Sequence, residues 1–219
     1  MPRRDDLKKI LGTQRVIRTF MEHVKDWPTG ISNGTILVIE KFLEYSLDPV
    51  SEAPASLNNL TYKWLHSEDY SMLKYSVGHF ADFYRGLKNI AELLENVDLP
   101  PAIQIYIDRI NGLLKEEPLR KLSENDPKNK FSSRQNLYFG YHLRGRYKNS
   151  TYELIEIYSR LDAWYSMAVA VKTYGLTFPE FTEQQTPLVE AKGLYHILLQ
   201  KPVAYDLQMN PEHNFLFLT

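Results

Sequence analysis

The fold is decided by residues 73–94, LKYSVGHFADFYRGLKNIAELL. Apolar side chains recur there at steps of three and four residues, which is the spacing of one face of an α-helix. The positions on that face are Leu73, Val77, Phe80, Phe83, Leu87, Ile90 and Leu94. Because no proline interrupts the stretch, we predict one long helix with a single buried seam.

A second long helix is predicted over residues 150–174. Ser150 and Glu153 have the spacing of a capping box, and Gly175 suits the left-handed position that follows a last helical turn. The apolar seam between these signals consists of Leu154, Ile157, Leu161, Trp164, Ala168 and Val171. We expect this seam to pack along the helix formed by residues 73–94.

Shorter helices are predicted around these two. Their approximate ranges are residues 7–24, 35–45, 57–65 and 101–114. The last of them opens at Pro100 and Pro101, since proline is tolerated in a first helical turn. Residues 48–56 contain Pro49 and Pro54, and we predict a loop there. Residues 115–134 contain proline and asparagine without a helical period, so we predict an exposed connection.

The character of the chain changes after residue 178. Short β-like runs occupy residues 188–191 and 195–199, and residues 214–219, NFLFLT, are typical of a buried strand. We therefore predict a mainly α fold, a bundle of long antiparallel helices with a short β tail at the carboxyl end. Residues 1–178 form the helical domain, and residues 179–219 form the opening edge of an α/β domain.

Composition restricts the possible functions. There is no cysteine, no apolar run long enough to span a membrane and no signal peptide at the amino end, so we expect a cytoplasmic chain. Lys and Arg number 26 against 27 Asp and Glu, so any contact with nucleic acid must be local. The local candidate is residues 138–148, YFGYHLRGRYK, where aromatic residues alternate with Arg144, Arg146 and Lys148. The alternative is an amphipathic linker whose aromatic side chains enter the core.

No residue set satisfies a familiar catalytic or metal-binding pattern. The His-Glu-x-x-His spacing is absent, and Glu153 and Glu156 lack the Glu-x-x-His partners of a di-iron bundle. We therefore predict no catalytic residue and no metal site. A helical-bundle enzyme is disfavoured because the inward seams are almost wholly apolar.

The carboxyl-terminal residues resemble the junction between the helical core and the ATPase domain of MutS-family proteins. The resemblance lies in Leu161-Asp-Ala, in residues 178–181 (FPEF), in residues 187–196 (PLVEAKGLYH) and in residues 214–219. Two earlier blocks, residues 11–20 and 77–90, are similar to the core and lever helices of that family. The likeness spans most of the chain and implies a core and lever domain followed by the first strands of an ATPase domain.

The resemblance implies a role in a dimeric, DNA-dependent ATPase of repair or recombination, cytoplasmic and associated with the nucleoid when bound to DNA. Core and lever helices of that family couple nucleotide state to DNA binding. Val203, Ala204 and Tyr205 match the stretch that lines the adenine pocket, and His196 matches a family histidine. In the family the last strand runs into a Gly-rich Walker A loop, so we expect ATP and Mg²⁺ to be bound by the intact parent. This chain itself is expected to need no cofactor and not to hydrolyse ATP.

Two departures from the family pattern affect the expected function. Only about thirty residues separate Leu114 from the last long helix, too few for the DNA-gripping clamp that full-length members insert there. A mismatch-reading domain is also missing, which puts mismatch recognition by this chain in doubt. The alternative function is a helical scaffold for protein–protein interaction, without nucleotides or DNA. The predicted buried strand at the carboxyl end distinguishes the two functions, because a scaffold would not require it.

Overall fold

A computed structural model describes residues 4–28, 30–45, 67–182 and 186–215. The described elements are α1 Arg4–Glu22, α2 Asn33–Glu44, α3 Ser67–Leu94, α4 Pro101–Leu114, α5 Leu119–Ser123, α6 Ser133–Arg144, α7 Lys148–Tyr174, β1 Val189–Leu194 and β2 Tyr205–Met209. The prediction of a mainly helical chain with a short β tail is confirmed. Among the described helices, none has the length and apolarity to cross a bilayer.

Helix α3 is the axis of the core. It packs closely against α2, α4, α5 and α6, and its 28 residues give a rod of about 42 Å. All seven predicted seam residues are buried, but Ala81, Tyr84 and Ala91 are buried as well. The prediction of a single seam was therefore wrong. A helix with neighbours on several sides must bury a broad face, and the wider set of apolar residues supplies it.

Two glycines allow neighbouring side chains to reach the backbone of the packed helices. A Cβ at Gly86 in α3 would lie 2.3 Å from Cγ1 of Ile31, which precedes α2. A Cβ at Gly140 in α6 would lie 2.7 Å from Cδ1 of Leu73. Because any larger residue would overlap a buried side chain, these glycines set how closely the elements approach.

Helix α7 packs chiefly against α1, which corrects the predicted pairing with the helix of residues 73–94. The contacts between α7 and α3 are made by large side chains: the Tyr84 and Thr151 hydroxyl oxygens are 2.8 Å apart, and the Phe83 and Tyr158 rings are 6.1 Å apart. Phenylalanine and tyrosine at these positions hold the two backbones apart. The predicted antiparallel rods therefore touch through their side chains only.

The contact between α1 and α7 is largely aromatic. Trp27, which follows α1, stacks on Tyr165 with ring centroids 4.9 Å apart, and Phe20 lies 6.4 Å from Trp164. The predicted stripe on α1 is buried only in its second half, since Ile10 is 40% exposed.

The helix boundaries were predicted in part. Helix α4 begins at Pro101 as predicted, and Gly175 has the expected left-handed backbone, with φ of 61°. The capping box predicted at Ser150 and Glu153 was wrong, because α7 begins earlier, at Lys148, without a side-chain cap. The predicted helix over residues 57–65 and the loop over residues 48–56 lie outside the described residues.

The predicted exposed connection over residues 115–134 contains a short helix with one buried face. Leu119 and Leu122 in α5 are fully buried against α3. A capping box of Ser132 and Gln135 then starts α6. Two leucines in five residues are too few to display a helical period, which is why the sequence pattern did not reveal α5.

Residues 186–215 contain an antiparallel hairpin. Strand β1 pairs with β2 from Val189 opposite Met209 to Leu194 opposite Tyr205, with a bulge at Gly193, where φ is 64°. The strand predicted over residues 188–191 is confirmed, although it begins at Val189 and ends at Leu194. The strand predicted over residues 195–199 was wrong, since these residues lie in the connection between β1 and β2, which contains a turn.

The described beginning of the third predicted strand, Asn214 and Phe215, is not in a strand, and residues 216–219 lie outside the described residues. Strand β2, in contrast, was not predicted. Its sequence, YDLQM, alternates polar and apolar residues, but it is only five residues long and gave no clear signal.

Two glycines of α3 give a matched test of the packing. We expect Gly86→Ala to lower the free energy of unfolding by about 1–2 kcal/mol, because overlap with Ile31 outweighs the gain of about 1 kcal/mol in helix propensity. Gly78→Ala should raise it by about 0.5–1 kcal/mol, since a Cβ there meets no atom within 4 Å. Urea denaturation measures both values.

A double variant isolates the contact. In an Ile31→Ala background, Gly86→Ala should lose most of its cost, because the overlapping side chain is gone. An equal cost in both backgrounds would contradict the close approach of Ile31 to α3.

Candidate functional site

The predicted basic segment forms the end of α6, a turn and the start of α7. Arg144, the last residue of α6, donates a hydrogen bond to the backbone carbonyl of Tyr45 at the end of α2. Its guanidinium also lies 5.7 Å from the centroid of the Phe42 ring. A cation is stabilised both by a helix carboxyl terminus and by an aromatic face. Arg144 therefore joins α6 to α2.

The side chains of Arg146 and Lys148 lie in different environments from that of Arg144. Arg146 lies 3.6 Å from a carboxylate oxygen of Glu116 and 5.2 Å from the centroid of the Tyr147 ring, and 73% of its side chain is exposed. Lys148 is partly buried in the first turn of α7. Of the three cations predicted to contact DNA, the first is therefore used in packing between α6 and α2, and the second faces an acid.

Tyr147, between these cations, is buried and ties the turn to its neighbours. Its hydroxyl donates to the backbone carbonyl of Glu117 at 2.5 Å, and its own carbonyl accepts a hydrogen bond from the Thr151 hydroxyl at 2.8 Å. Since that bond uses the only hydroxyl proton of Thr151, Tyr84 must be the donor in the contact between Tyr84 and Thr151. This buried chain connects α3, α7 and the residues before α5. Because tyrosine and threonine also occur at exposed positions, the sequence did not reveal this buried network.

Burial changes the acidity of two tyrosines in this region. Desolvation raises the pKa of Tyr84 well above its ordinary value, and the hydrogen bond with Thr151 offsets only part of the effect. Desolvation, with the nearby carboxylate of Asp162, raises the pKa of Tyr158 to about 12. Both phenols are therefore neutral hydrogen-bonding groups in the folded protein.

A shallow groove of about 660 Å³ lies between α4 and α7. Its lining residues are Ile105, Tyr106, Asp108, Arg109, Glu153, Glu156, Ile157 and Arg160. The charges inside it are largely paired: Arg109 binds both carboxylate oxygens of Glu153, at 2.6 and 2.7 Å, and Arg160 binds Glu156 at 2.8 Å. The hydrogen bond from Arg109 lowers the pKa of Glu153. An ionised carboxylate held by an arginine is suited to joining helices rather than to proton transfer.

The residues matched to an adenine pocket lie at the start of β2 and just before it. Val203 is 84% exposed, Ala204 is exposed, and Tyr205 pairs with Leu194 while 43% of its surface remains exposed. His196 lies in the connection between the strands, where its Nδ1 accepts a hydrogen bond from the backbone N–H of Leu198 at 3.2 Å. Val203, Ala204 and Tyr205 thus form an open surface rather than an enclosed pocket.

Within residues 4–28, 30–45, 67–182 and 186–215, no three histidine or acidic side chains are grouped so that they could hold a metal ion. Comparisons of the chain with protein-family models, with curated proteins and with solved structures give no significant match.

The roles of the two arginines can be separated by stability. We expect Arg144→Ala to lower the free energy of unfolding by about 1–2 kcal/mol, because the Tyr45 carbonyl and the Phe42 ring lose their cation. Arg146→Ala should change it by less than about 0.5 kcal/mol, since an exposed ion pair contributes little. Equal effects of the two substitutions in urea denaturation would contradict the structural role of Arg144.

The buried tyrosines predict a loss of stability at alkaline pH. Because the folded-state pKa of Tyr84 exceeds that of the unfolded chain, its stabilising contribution is complete below about pH 10 and falls as the pH rises towards the folded-state value. In that range each such tyrosine should lower the free energy of unfolding by about 1.4 kcal/mol per pH unit.

Urea denaturation between pH 9 and pH 11.5 measures this slope. Tyr84→Phe should flatten it by the share of one tyrosine, and Tyr75→Phe, a substitution at a position that is 60% exposed, is the matched control. Identical slopes for wild type and Tyr84→Phe would show that Tyr84 ionises as readily in the folded protein as in the unfolded one.

Proposed function

We propose that this chain is the helical core and lever module of a MutS-like, DNA-dependent ATPase, and that it couples nucleotide state to DNA binding in repair or recombination. The observation that carries the proposal is a β-hairpin after the long helix α7, with exposed apolar residues in its connection and beyond its second strand. Two of the sequence blocks that resemble the MutS family, residues 178–181 and 187–196, follow α7, and the second of them contains β1.

The hairpin has the surface expected of an edge of a larger domain. Leu198 is 80% exposed, Val203 is 84% exposed and Phe215, which follows β2, is 86% exposed. A two-stranded hairpin is marginally stable alone, and exposed apolar groups of this size favour a covering partner. Further strands and helices of an ATPase domain would provide that cover.

The end of α7 is attached to α1 at several points. Lys172 donates to the backbone carbonyl of Met21, and beyond the helix Gln14 donates to the backbone carbonyl of Pro179, both at 3.1 Å. Arg18 lies 4.4 Å from the centroid of the Phe178 ring. A displacement of the segment that leads to the hairpin would therefore act on α1 and α7 together.

The hairpin itself contacts this end of the rod. The Tyr195 hydroxyl donates to the backbone carbonyl of Tyr174, the last residue of α7, at 2.5 Å. At the other end of α7, Thr151 and Glu153 are bonded to α3 and α4 through Tyr84 and Arg109. A helix of about 40 Å that is fixed at both ends can transmit a hinge rotation as a displacement of its far end.

In this proposal the intact parent binds ATP and Mg²⁺ and forms a dimer, and hydrolysis takes place outside these helices. Val203, Ala204 and Tyr205 would form one wall of the adenine site, which their exposure permits. The exposed hairpin would also suit a scaffold that binds another protein. Dependence on nucleotide separates the two functions.

The test uses the intact parent protein and the substitution Val203→Asp. A carboxylate against the adenine ring should weaken ATP binding by at least about tenfold and remove the effect of ATP on DNA affinity, because a buried unpaired charge is costly. Val203→Ile, which keeps the aliphatic wall, and Gln200→Asp, which adds the same charge in the strand connection, serve as controls. Unchanged ATP binding by Val203→Asp in a fluorescent-nucleotide titration would refute the proposed adenine wall.

A further inference from the structure

The positive charge of the chain is concentrated around α6. Residues 127–152 contain six Lys and Arg residues and no Asp or Glu, although the whole chain has a net charge of −1. The six are Lys128, Lys130, Arg134, Arg144, Arg146 and Lys148. Arg144 binds the end of α2, Arg146 faces Glu116, and Lys148 is partly buried in the first turn of α7. The first three are therefore the exposed cations available for another ligand.

A stripe of exposed Arg134, exposed Tyr138 and partly buried His142 runs along α6, with each residue one helical turn from the next. The opposite face is fixed in the core, because Leu137, Phe139 and others on it are buried. The Tyr138 and His142 rings meet edge to face at 4.4 Å, and Tyr138 remains 43% exposed. The stripe presents an arginine and an aromatic ring about 6 Å apart along the helix axis.

Lys128 and Lys130 lie in the loop that leads into α6, and both ends of this loop are bonded to or packed on the helices. Arg85 on α3 donates two hydrogen bonds, at 3.1 and 2.8 Å, to the backbone carbonyl of Asn125. Phe131 packs on Phe139 with ring centroids 4.9 Å apart, which fixes the end of the loop on α6. The cations therefore project from a supported loop.

The three cations are exposed and have no acidic partner among the described residues. The nearest acid in sequence, Asp126, is engaged by the backbone N–H of Lys128 at 2.9 Å. Unpaired surface cations beside an exposed aromatic ring match the two contacts that single-stranded nucleic acid requires, phosphate neutralisation and base stacking.

We infer that Lys128, Lys130, Arg134 and Tyr138 form a binding surface for single-stranded DNA. Phosphates contact the three cations, and one base stacks on Tyr138. The choice of DNA as the polyanion rests on the proposed function, whereas the position of the surface rests on the geometry of α6. Tyr138 favours a single strand, because paired bases in a duplex do not present a free face to an aromatic side chain.

The test is fluorescence anisotropy of a labelled oligothymidylate of about twenty nucleotides, titrated with the 219-residue chain at several salt concentrations without nucleotide. The triple substitution Lys128→Ala, Lys130→Ala and Arg134→Ala should weaken binding at least about tenfold and reduce the salt slope by about 2. Tyr138→Ala should weaken it about tenfold, and Tyr138→Phe should restore it.

A matched control removes three exposed cations elsewhere, by Lys8→Ala, Lys9→Ala and Lys25→Ala. It should leave the salt slope unchanged. An equal effect of the two triple variants, no binding by wild type, or binding to duplex that is as tight as to the single strand and indifferent to Tyr138→Ala would each overturn the inference.

Two further arms identify the ligand. Binding to phosphatidylserine vesicles in place of the oligonucleotide would assign the surface to a membrane and also overturn the inference. The oligonucleotide titration contains no ATP. If it shows no binding, the proposed ATP dependence of the parent is still tested separately by Val203→Asp. If Val203→Asp leaves ATP binding unchanged, the inferred DNA-binding surface on α6 is likewise not contradicted.

Discussion

The burial of α3 on several sides is the constraint on which the other helices depend. Neighbouring side chains approach closely at Gly86 and Gly140. At Phe83 and Tyr84, large buried rings keep the neighbouring helix further away. A core packed to crystal-like density permits little adjustment of either kind. The positions of α2, α4, α5 and α6 follow from this single helix.

The position of α7 follows from the same constraint. Because its backbone is held away from α3, it takes α1 as its main partner and meets α3 through the buried hydroxyls of Tyr84 and Thr151. This arrangement leaves one end of α7 anchored in the core and the other end beside the hairpin. Under the proposed function, motion of a nucleotide-binding domain would enter at that second end. The DNA surface inferred on α6 lies on an element that packs against both α3 and α7.

The helical class, the long helices and the β character of the tail were predicted from the sequence, because each has a strong local signal. These signals are the spacing of the apolar residues and the proline or glycine residues at the ends of elements. The sequence did not predict which helices pair, since an apolar seam does not specify its partner. Short α5 has too few residues for a period. Arg144 was interpreted as a DNA contact because composition cannot distinguish a cation that caps α2 from one that faces solvent. The buried hydroxyl network likewise has no sequence signal.

Native-state hydrogen exchange tests the central claim most directly, because it measures the opening free energy of each amide. If α3 organises the core, amides of residues 73–94 and 154–161 should exchange together at the free energy of global unfolding. Amides of the hairpin, residues 189–209, should exchange at a much lower free energy. Exchange of residues 73–94 in separate, low-energy steps, or a hairpin as protected as α3, would contradict this account.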